Sequence, residues 1–233
     1  MGTIRIVSTE PRAFEDRAEA GRALARELSD LKGQHPVVLG IPRGAVPMAA
    51  VIADELDGEL DVVIVRKLGA PYNPELAIGS VTEEGEAIVD DRIAHAVGAS
   101  GDYIEQEKRR QMERIEERKR VYREVRPKAA LEGRIVVIVD DGFATGATMK
   151  AALTSARAEK PERLIAAAPV GAQSTVQEMA DYADEVVCLR APSAFGAVGA
   201  FYRDFGQVSD QEVIAVLKER MRRRTGTSGE ARR

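Results

Sequence analysis

Arg134-Ile135-Val136-Val137-Ile138-Val139-Asp140-Asp141-Gly142-Phe143-Ala144-Thr145-Gly146-Ala147-Thr148-Met149-Lys150 is the stretch whose reading decides the fold. Residues 135–139 form a short apolar run, as expected of a strand buried on both faces. Two acids stand at its carboxyl end, followed by a tight loop and a helical pattern over 146–159. In a parallel sheet, ligands collect at that end of the strands. The loop sets successive backbone N–H groups, with the Thr145 and Thr148 hydroxyls, around a helix start, where unpaired donors and the helix dipole favour a phosphate dianion. Gly142 and Gly146 let the backbone approach such a group closely. Asp140 and Asp141 would repel a phosphate, so their fitting partners are hydroxyl donors such as a ribose diol, with a cation nearby to balance charge. A phosphorylated ribose satisfies both halves.

Competing loop readings fail on the residues. A Walker A loop needs Lys after its second glycine, but Ala147 follows Gly146, and no Gly-x-Gly-x-x-Gly is present here. A plain strand-to-helix turn needs one capping acid and leaves the rest of the constellation without a purpose.

Working outward, Phe14, Ala18, Gly21, Leu24, Leu28 and Leu31 recur at helical spacing and predict an amphipathic helix ending near Gly33. Residues 36–40 read as a strand closed by Ile41-Pro42-Arg43-Gly44, 46–56 as a helix and 61–65 as a second buried strand. Beyond the central stretch, 164–168 and 185–189 are further strands, separated by a helix over 174–183. Alternation of this kind predicts an α/β fold, a parallel sheet with helices on both faces.

Residues 66–132 break that alternation as a long excursion. Segments 76–82 and 86–90, joined around Glu83-Glu84-Gly85, predict a hairpin, and Asp102 with Glu105 predicts the N-cap of a charged helix reaching about Val125. Its arginines are mixed with glutamates, which favours a solvated face or subunit contact over a nucleic-acid surface. Ser209 and Glu212 form a capping box for a last helix from about 210 to 222. Residues 1–217 are expected to form a single domain, and 224–233 a polar, disordered tail.

The 233 residues, 44% hydrophobic, suffice for one substantial α/β domain, and a net charge of −4 argues against nucleic acid as a partner. One cysteine and two histidines, His35 and His95, suggest neither an internal disulfide nor a zinc site. With no apolar h-region at the start and no run long enough to span a membrane, the cytoplasm is the expected location.

Residues 136–148, a hydrophobic run, two acids and a loop ending Thr-Gly-x-Thr, resemble the 5-phosphoribosyl-1-pyrophosphate (PRPP) motif of type I phosphoribosyltransferases. The resemblance implies that Asp140 and Asp141 hold the ribose hydroxyls. It implies that the loop, Gly142, Phe143, Ala144, Thr145, Gly146, Ala147 and Thr148, holds the 5-phosphate. It extends to 40–44, similar to the family's pyrophosphate loop, and to Arg66-Lys67 after the second strand. Arg43, Gly44, Arg66 and Lys67 are then the pyrophosphate residues, and Asp140, Asp141, Lys67 and Arg43 the catalytic ones. The family also places a mobile catalytic loop where this chain has its excursion. Up to about Leu217, the pattern resembles a bacterial group of this family.

The implied reaction transfers ribose 5-phosphate from PRPP to a nitrogenous acceptor with release of pyrophosphate. Mg²⁺ is expected as cofactor, held mainly through PRPP with Asp140 and Asp141 as its candidate ligands. A homodimer is compatible with the sequence. The pocket residues leave two other readings open: a PRPP- or nucleotide-sensing regulator, and a ribosyl-phosphate hydrolase or phosphorylase. Phe195, Phe201, Tyr202 and Phe205 crowd one segment of a chain only 4% aromatic. They are candidates for stacking on a planar acceptor or for packing a C-terminal subdomain, the region at 190–217 that resembles the family's acceptor-selecting hood. The 6-oxopurine members carry an acid where this chain has Ala144, so hypoxanthine and guanine are disfavoured.

Overall fold

The computed structural model describes residues 1–230. Its main sheet has six strands, all parallel, in the order β1-β9-β8-β7-β2-β3. At its centre lies β7 (Ile135–Val139), between β2 (Val37–Gly40) and β8 (Arg163–Val170). Every residue of β2, and all but the first of β7 and β8, is buried, as a strand covered on both faces requires. Helices α1 (Arg17–Glu27) and α2 (Val46–Glu55) pack together, α2 against β2 and α1 towards β8 and β9 (Glu185–Arg190). Helix α5 (Ala147–Ala158) packs against β7 and β8, and α6 (Gln173–Met179) against β9. The expected α/β architecture with a parallel sheet is therefore present.

The expected strand at 61–65 is two strands. β3 (Glu59–Val62) ends the main sheet, and after two residues β4 (Val65–Ala70) starts a separate antiparallel sheet with β5 (Asn73–Thr82) and β6 (Ala87–Val89). The hairpin is as expected, but its third strand was hidden in a run read as the end of the parallel sheet. A short α3 (Asp91–Ala96), unforeseen, precedes α4 (Gly101–Val125). The N-cap of α4 is Ser100, whose Oγ accepts from the Tyr103 N–H at 3.2 Å, and not Asp102. β4 and β5 lie against α5, and α4 against β4. A three-stranded sheet and a 25-residue helix thus occupy the position of the family's catalytic loop.

Arg123, near the end of α4, ties the excursion to the main sheet. It donates to Asp61 Oδ1 at 2.7 Å, Glu83 Oε1 at 2.8 Å and the Val62 carbonyl at 3.0 Å. Asp61, only 1% exposed, also accepts from the backbone N–H groups of Val62 (2.7 Å) and Ala129 (2.8 Å). Here a buried acid has a partner for each oxygen, the condition under which burying charge is tolerable.

Strand β1 (Thr3–Ser8) was not foreseen and pairs with β9 at the sheet edge. α7 spans Asp210–Glu230, further than the expected 210–222. Residues 231–233 of the expected tail lie outside the described residues. No helix among the described residues is long and apolar enough to cross a membrane.

Candidate functional site

Backbone bonds across the strand ends bring the loops of the carboxyl edge together. The Ile41 N–H donates to the Val139 carbonyl at 3.0 Å, and the Asp140 N–H to the Ala167 carbonyl at 3.1 Å. Asp140 and Asp141 therefore leave β7 beside the 41–45 loop. The Asp141 N–H donates to Asp140 Oδ1 at 2.9 Å. Asp140 is half-buried, but its carboxyl is packed among protein atoms, and this burial with the neighbouring Asp141 charge pushes it up to about 8. Burial raises Asp141 as well, with Arg17 holding it partly down. These are acids short of compensating charge.

Arg17 is the residue that sequence reasoning missed. Its Nη2 lies 3.3 Å from Asp141 Oδ2, its Nη1 donates to the Gly206 carbonyl at 2.8 Å, and its guanidinium lies 4.0 Å from the Phe205 ring centre. In the sequence it is one charged residue in the first turn of a charged helix, and its partners lie more than a hundred positions away. Gly44 also faces the pair: a Cβ there would collide with the Asp141 carboxylate, so the close approach requires glycine. The Pro42–Arg43 peptide bond of this loop is cis.

The 142–148 loop is fixed from below. Phe143 is 1% exposed and pairs its backbone with Gly171, so it anchors the loop and its ring does not face a ligand. The Ala144 carbonyl accepts from Thr175 Oγ1 at 2.7 Å. Gly146 is the N-cap of α5 at φ 70°, a conformation that favours glycine, and brings no side-chain cap to the first-turn N–H groups. A Cβ at Gly146 would stand 2.7 Å from Thr175 and Met179 side-chain atoms. Ala144 and Thr145 are exposed, and Gly142, Ala147 and Thr148 half-buried, so the helix start without a side-chain cap meets solvent above a packed floor.

Two of the expected pyrophosphate cations, Arg43 and Arg66, have partners of their own. Arg43 pairs with Asp210 at 3.5 Å, and Asp210 also accepts from the Tyr122 hydroxyl. Arg66 and Lys67 are consecutive on β4, where alternation sends neighbouring side chains to opposite faces. Arg66 Nε donates to Gln111 Oε1 of α4 at 3.1 Å. Gly44 lies directly against Asp141.

The hood is a ring cluster stitched to the segment before α1. Phe195 stacks on Phe201 at 5.3 Å, and Tyr202 on Phe205 at 4.8 Å. The Phe14 N–H donates to the Phe201 carbonyl at 2.8 Å, and the Arg203 N–H to the Phe14 carbonyl at 2.9 Å. Phe201 and Tyr202 are buried, and the Tyr202 hydroxyl donates to the Asp141 carbonyl at 2.7 Å. These two brace the site from within. Phe195 and Phe205, partly buried, keep surface to offer.

A phosphoribosyl transferase domain model matches residues 13–205, which contain the acid pair, the 142–148 loop, Arg17 and the four rings of the hood. Two proteins from Mycobacterium tuberculosis strains CDC 1551 and H37Rv, provisionally named phosphoribosyl transferase, are 46% identical over 204 residues. The match covers 88% of this chain and 46% of theirs, so the chain spans about half the length of these curated relatives. The crystal structure of TT1426 from Thermus thermophilus is 49% identical, with a TM-score of 0.80, covering 89% of this chain and 98% of that one.

Proposed function

The chain belongs to the phosphoribosyl transferase domain family, and from that premise we propose that it moves ribose 5-phosphate from PRPP to a nitrogenous small molecule, releasing pyrophosphate. The observation that carries the reading is the acid pair. Asp140 and Asp141 are held at a strand end with one arginine against Asp141, beside a helix start whose first N–H groups have no side-chain cap. A ribose offers hydroxyl donors to the first and a phosphate to the second.

In this reading the backbone of 144–148, with the Thr145 and Thr148 hydroxyls, holds the 5-phosphate, and Asp140 and Asp141 orient the sugar. A nitrogen lone pair forms the bond to C1 as the C1–oxygen bond breaks, and that bond's electrons leave with pyrophosphate. Positive charge grows on the sugar as the bond breaks, and that charge with a bound cation would draw the proton off the acid pair beneath it, whose carboxylates then stabilise the transition state by charge as well as by position. Arg43 and Gly44 line the loop on the leaving-group side. Arg43 serves there by exchanging Asp210 for pyrophosphate, a short movement for a surface arginine.

The residues suit Mg²⁺. The acid pair supplies hard oxygen donors, and no group of three or more His, Cys, Asp or Glu side chains among the described residues makes a cage of its own. Asp140 and Asp141 would hold the ion together with substrate oxygens, and it would supply charge neutralisation for the departing pyrophosphate. Among acceptors, Ala144 offers a methyl group and no proton-transferring acid, which supports a base other than a 6-oxopurine.

The test is pyrophosphate release from PRPP and Mg²⁺ across a panel of nitrogenous bases. Release that requires one acceptor supports the transfer. Tight PRPP binding with no release for any acceptor would turn the reading into a sensor, and release without an acceptor into a hydrolase.

A further inference from the structure

We propose that the cavity at the amino ends of β3 and β7 is a second binding site, for a phosphoryl group, remote from the residues assigned to phosphoribosyl transfer and independent of that reading. The cavity has a volume of about 460 Å³, with Asp54 after the middle of α2, Glu59 at the start of β3, Arg126, Arg134, and Arg220 and Met221 of α7 in its wall. Arg134 precedes β7, and the acid pair follows it. Six steps of extended chain separate Arg134 from Asp140, about 20 Å at roughly 3.3 Å per residue. The cavity and the acid pair therefore lie at opposite ends of one strand.

The carboxylates here do not satisfy the guanidinium groups around them. Glu59 is shared by Arg126 and Arg134, and Asp54 by Arg220 and Arg223. Arg223 also reaches Glu219 at 3.0 Å, so the shortfall falls on the other three. The Arg126 side chain is only 9% exposed, yet its Nη1 faces the Met221 sulfur at 3.7 Å, a weak acceptor. Arg134 meets Glu59 loosely, at 3.4 and 3.5 Å, while donating to the His35 carbonyl at 2.8 Å. The Arg220 Nε is buried and has no partner among the described residues. Burial holds this guanidinium below its ordinary value although Asp54 stands beside it. Asp57 also lines the cavity, but it is exposed and, among the described residues, makes no ion pair with these arginines.

A phosphoryl group meets this shortfall in charge and in shape. It carries close to two negative charges at neutral pH, and guanidinium forks bind its oxygens in pairs. A carboxylate ligand would bring one charge to three incompletely paired guanidinium groups. The volume exceeds what a bare phosphate ion fills and falls within the range of small-molecule sites. Ala53, Leu60 and Met221 give the wall an apolar part against which the rest of an organic phosphate can lie.

The chain has no tryptophan, so Met221→Trp places a single indole in the cavity wall, whose emission reports this site and not the 142–148 loop. In that background Arg134→Gln/Arg220→Gln, the charge-keeping Arg134→Lys/Arg220→Lys and, as a control on the loop, Thr145→Val/Thr148→Val would be titrated with inorganic phosphate and with AMP at one ionic strength. Circular dichroism would check the fold, and Arg134→Gln alone would serve if the paired glutamine variant unfolds. Calorimetry with Met221 intact would repeat each titration without the reporter. The expected result is a saturable emission change whose affinity falls at least tenfold in the glutamine variant, is mostly restored by lysine and is unmoved in the threonine control. Tighter binding of AMP than of phosphate identifies an organic phosphate, and equal binding a free phosphate ion. An emission change that survives the glutamine substitutions, or that is lost in the threonine control, would overturn the proposal. So would a silent reporter together with calorimetric binding that the glutamine substitutions leave unchanged.

Discussion

The Asp61–Glu83–Arg123 and Asp140–Asp141–Arg17 constellations each set two carboxylates near one guanidinium, and they are built to opposite ends. In Asp61–Glu83–Arg123 the arginine reaches both acids within 2.8 Å, and backbone N–H groups take up the remaining capacity of Asp61. In Asp140–Asp141–Arg17 the arginine reaches one acid only, at 3.3 Å, and Asp140 accepts from a single neighbouring N–H. The first constellation is closed and joins an inserted sheet and helix to the core. The second is open, with oxygens left for a ligand. Buried acids alone do not point to a functional site; incompletely satisfied ones at a strand end make a candidate.

The largest effect should come from breaking the closed set. Arg123→Met leaves two buried carboxylates without their cation and should cost about 3–5 kcal/mol in urea unfolding. Arg17→Met should cost about 1–2 kcal/mol, because a raised acid pair can take up a proton in place of the guanidinium. Equal losses would erase the distinction between the two sets.

Next comes the open set's ligand. Asp140→Asn and Asp141→Asn should each weaken PRPP binding by about 1.5–3 kcal/mol in calorimetry, the scale of hydrogen bonds to charged groups, without loss of thermal stability. Unchanged affinity in the double variant would remove the ribose from this site.

Phe205 lies beside Arg17 and Phe195 stacks on Phe201, so the open set continues into the hood. Replacing the ring that stacks on the acceptor with alanine should raise the acceptor KM by about five- to a hundredfold, equivalent to roughly 1–3 kcal/mol, with PRPP affinity held. Stability loss in both variants, with KM unmoved in the folded protein, would assign all four rings to packing.

The smallest effect is a pH dependence. The folded value of Asp140 is raised from 3.8 to about 8, so the folded state holds a proton that the unfolded chain has released. Stability from this group is therefore full below about pH 4 and falls as pH rises through 8. After discounting for solvent access, Asp140→Asn should gain on wild type by about 1 kcal/mol between pH 6 and pH 8 in scanning calorimetry. A gain that shrinks as pH rises would contradict this.

What the sequence made legible follows the same division between local and distant causes. The central strand, its acids and its glycine loop are contiguous, so a buried strand and a helix start could be read there directly. Gly44 was found for the same reason. Arg17 was not, because its meaning lies in contacts across the fold. β4 escaped because its two cations looked like the close of a strand, when Arg66 in fact turns to Gln111. β1 escaped because an edge strand exposed along nearly its whole length has no buried pattern to show.

That edge strand bears on how the chain comes to be folded during synthesis. β1 has a single neighbour, β9, and Arg5 meets Glu185 at 2.8 Å across 180 positions of sequence. β1 must wait for the last strand, β9, to be made before its hydrogen bonds can close. At about 5–20 residues per second, that wait is on the order of ten seconds or more. A nascent chain stalled before residue 185 would carry a dangling first strand, open to proteases and to pairing with the wrong edge.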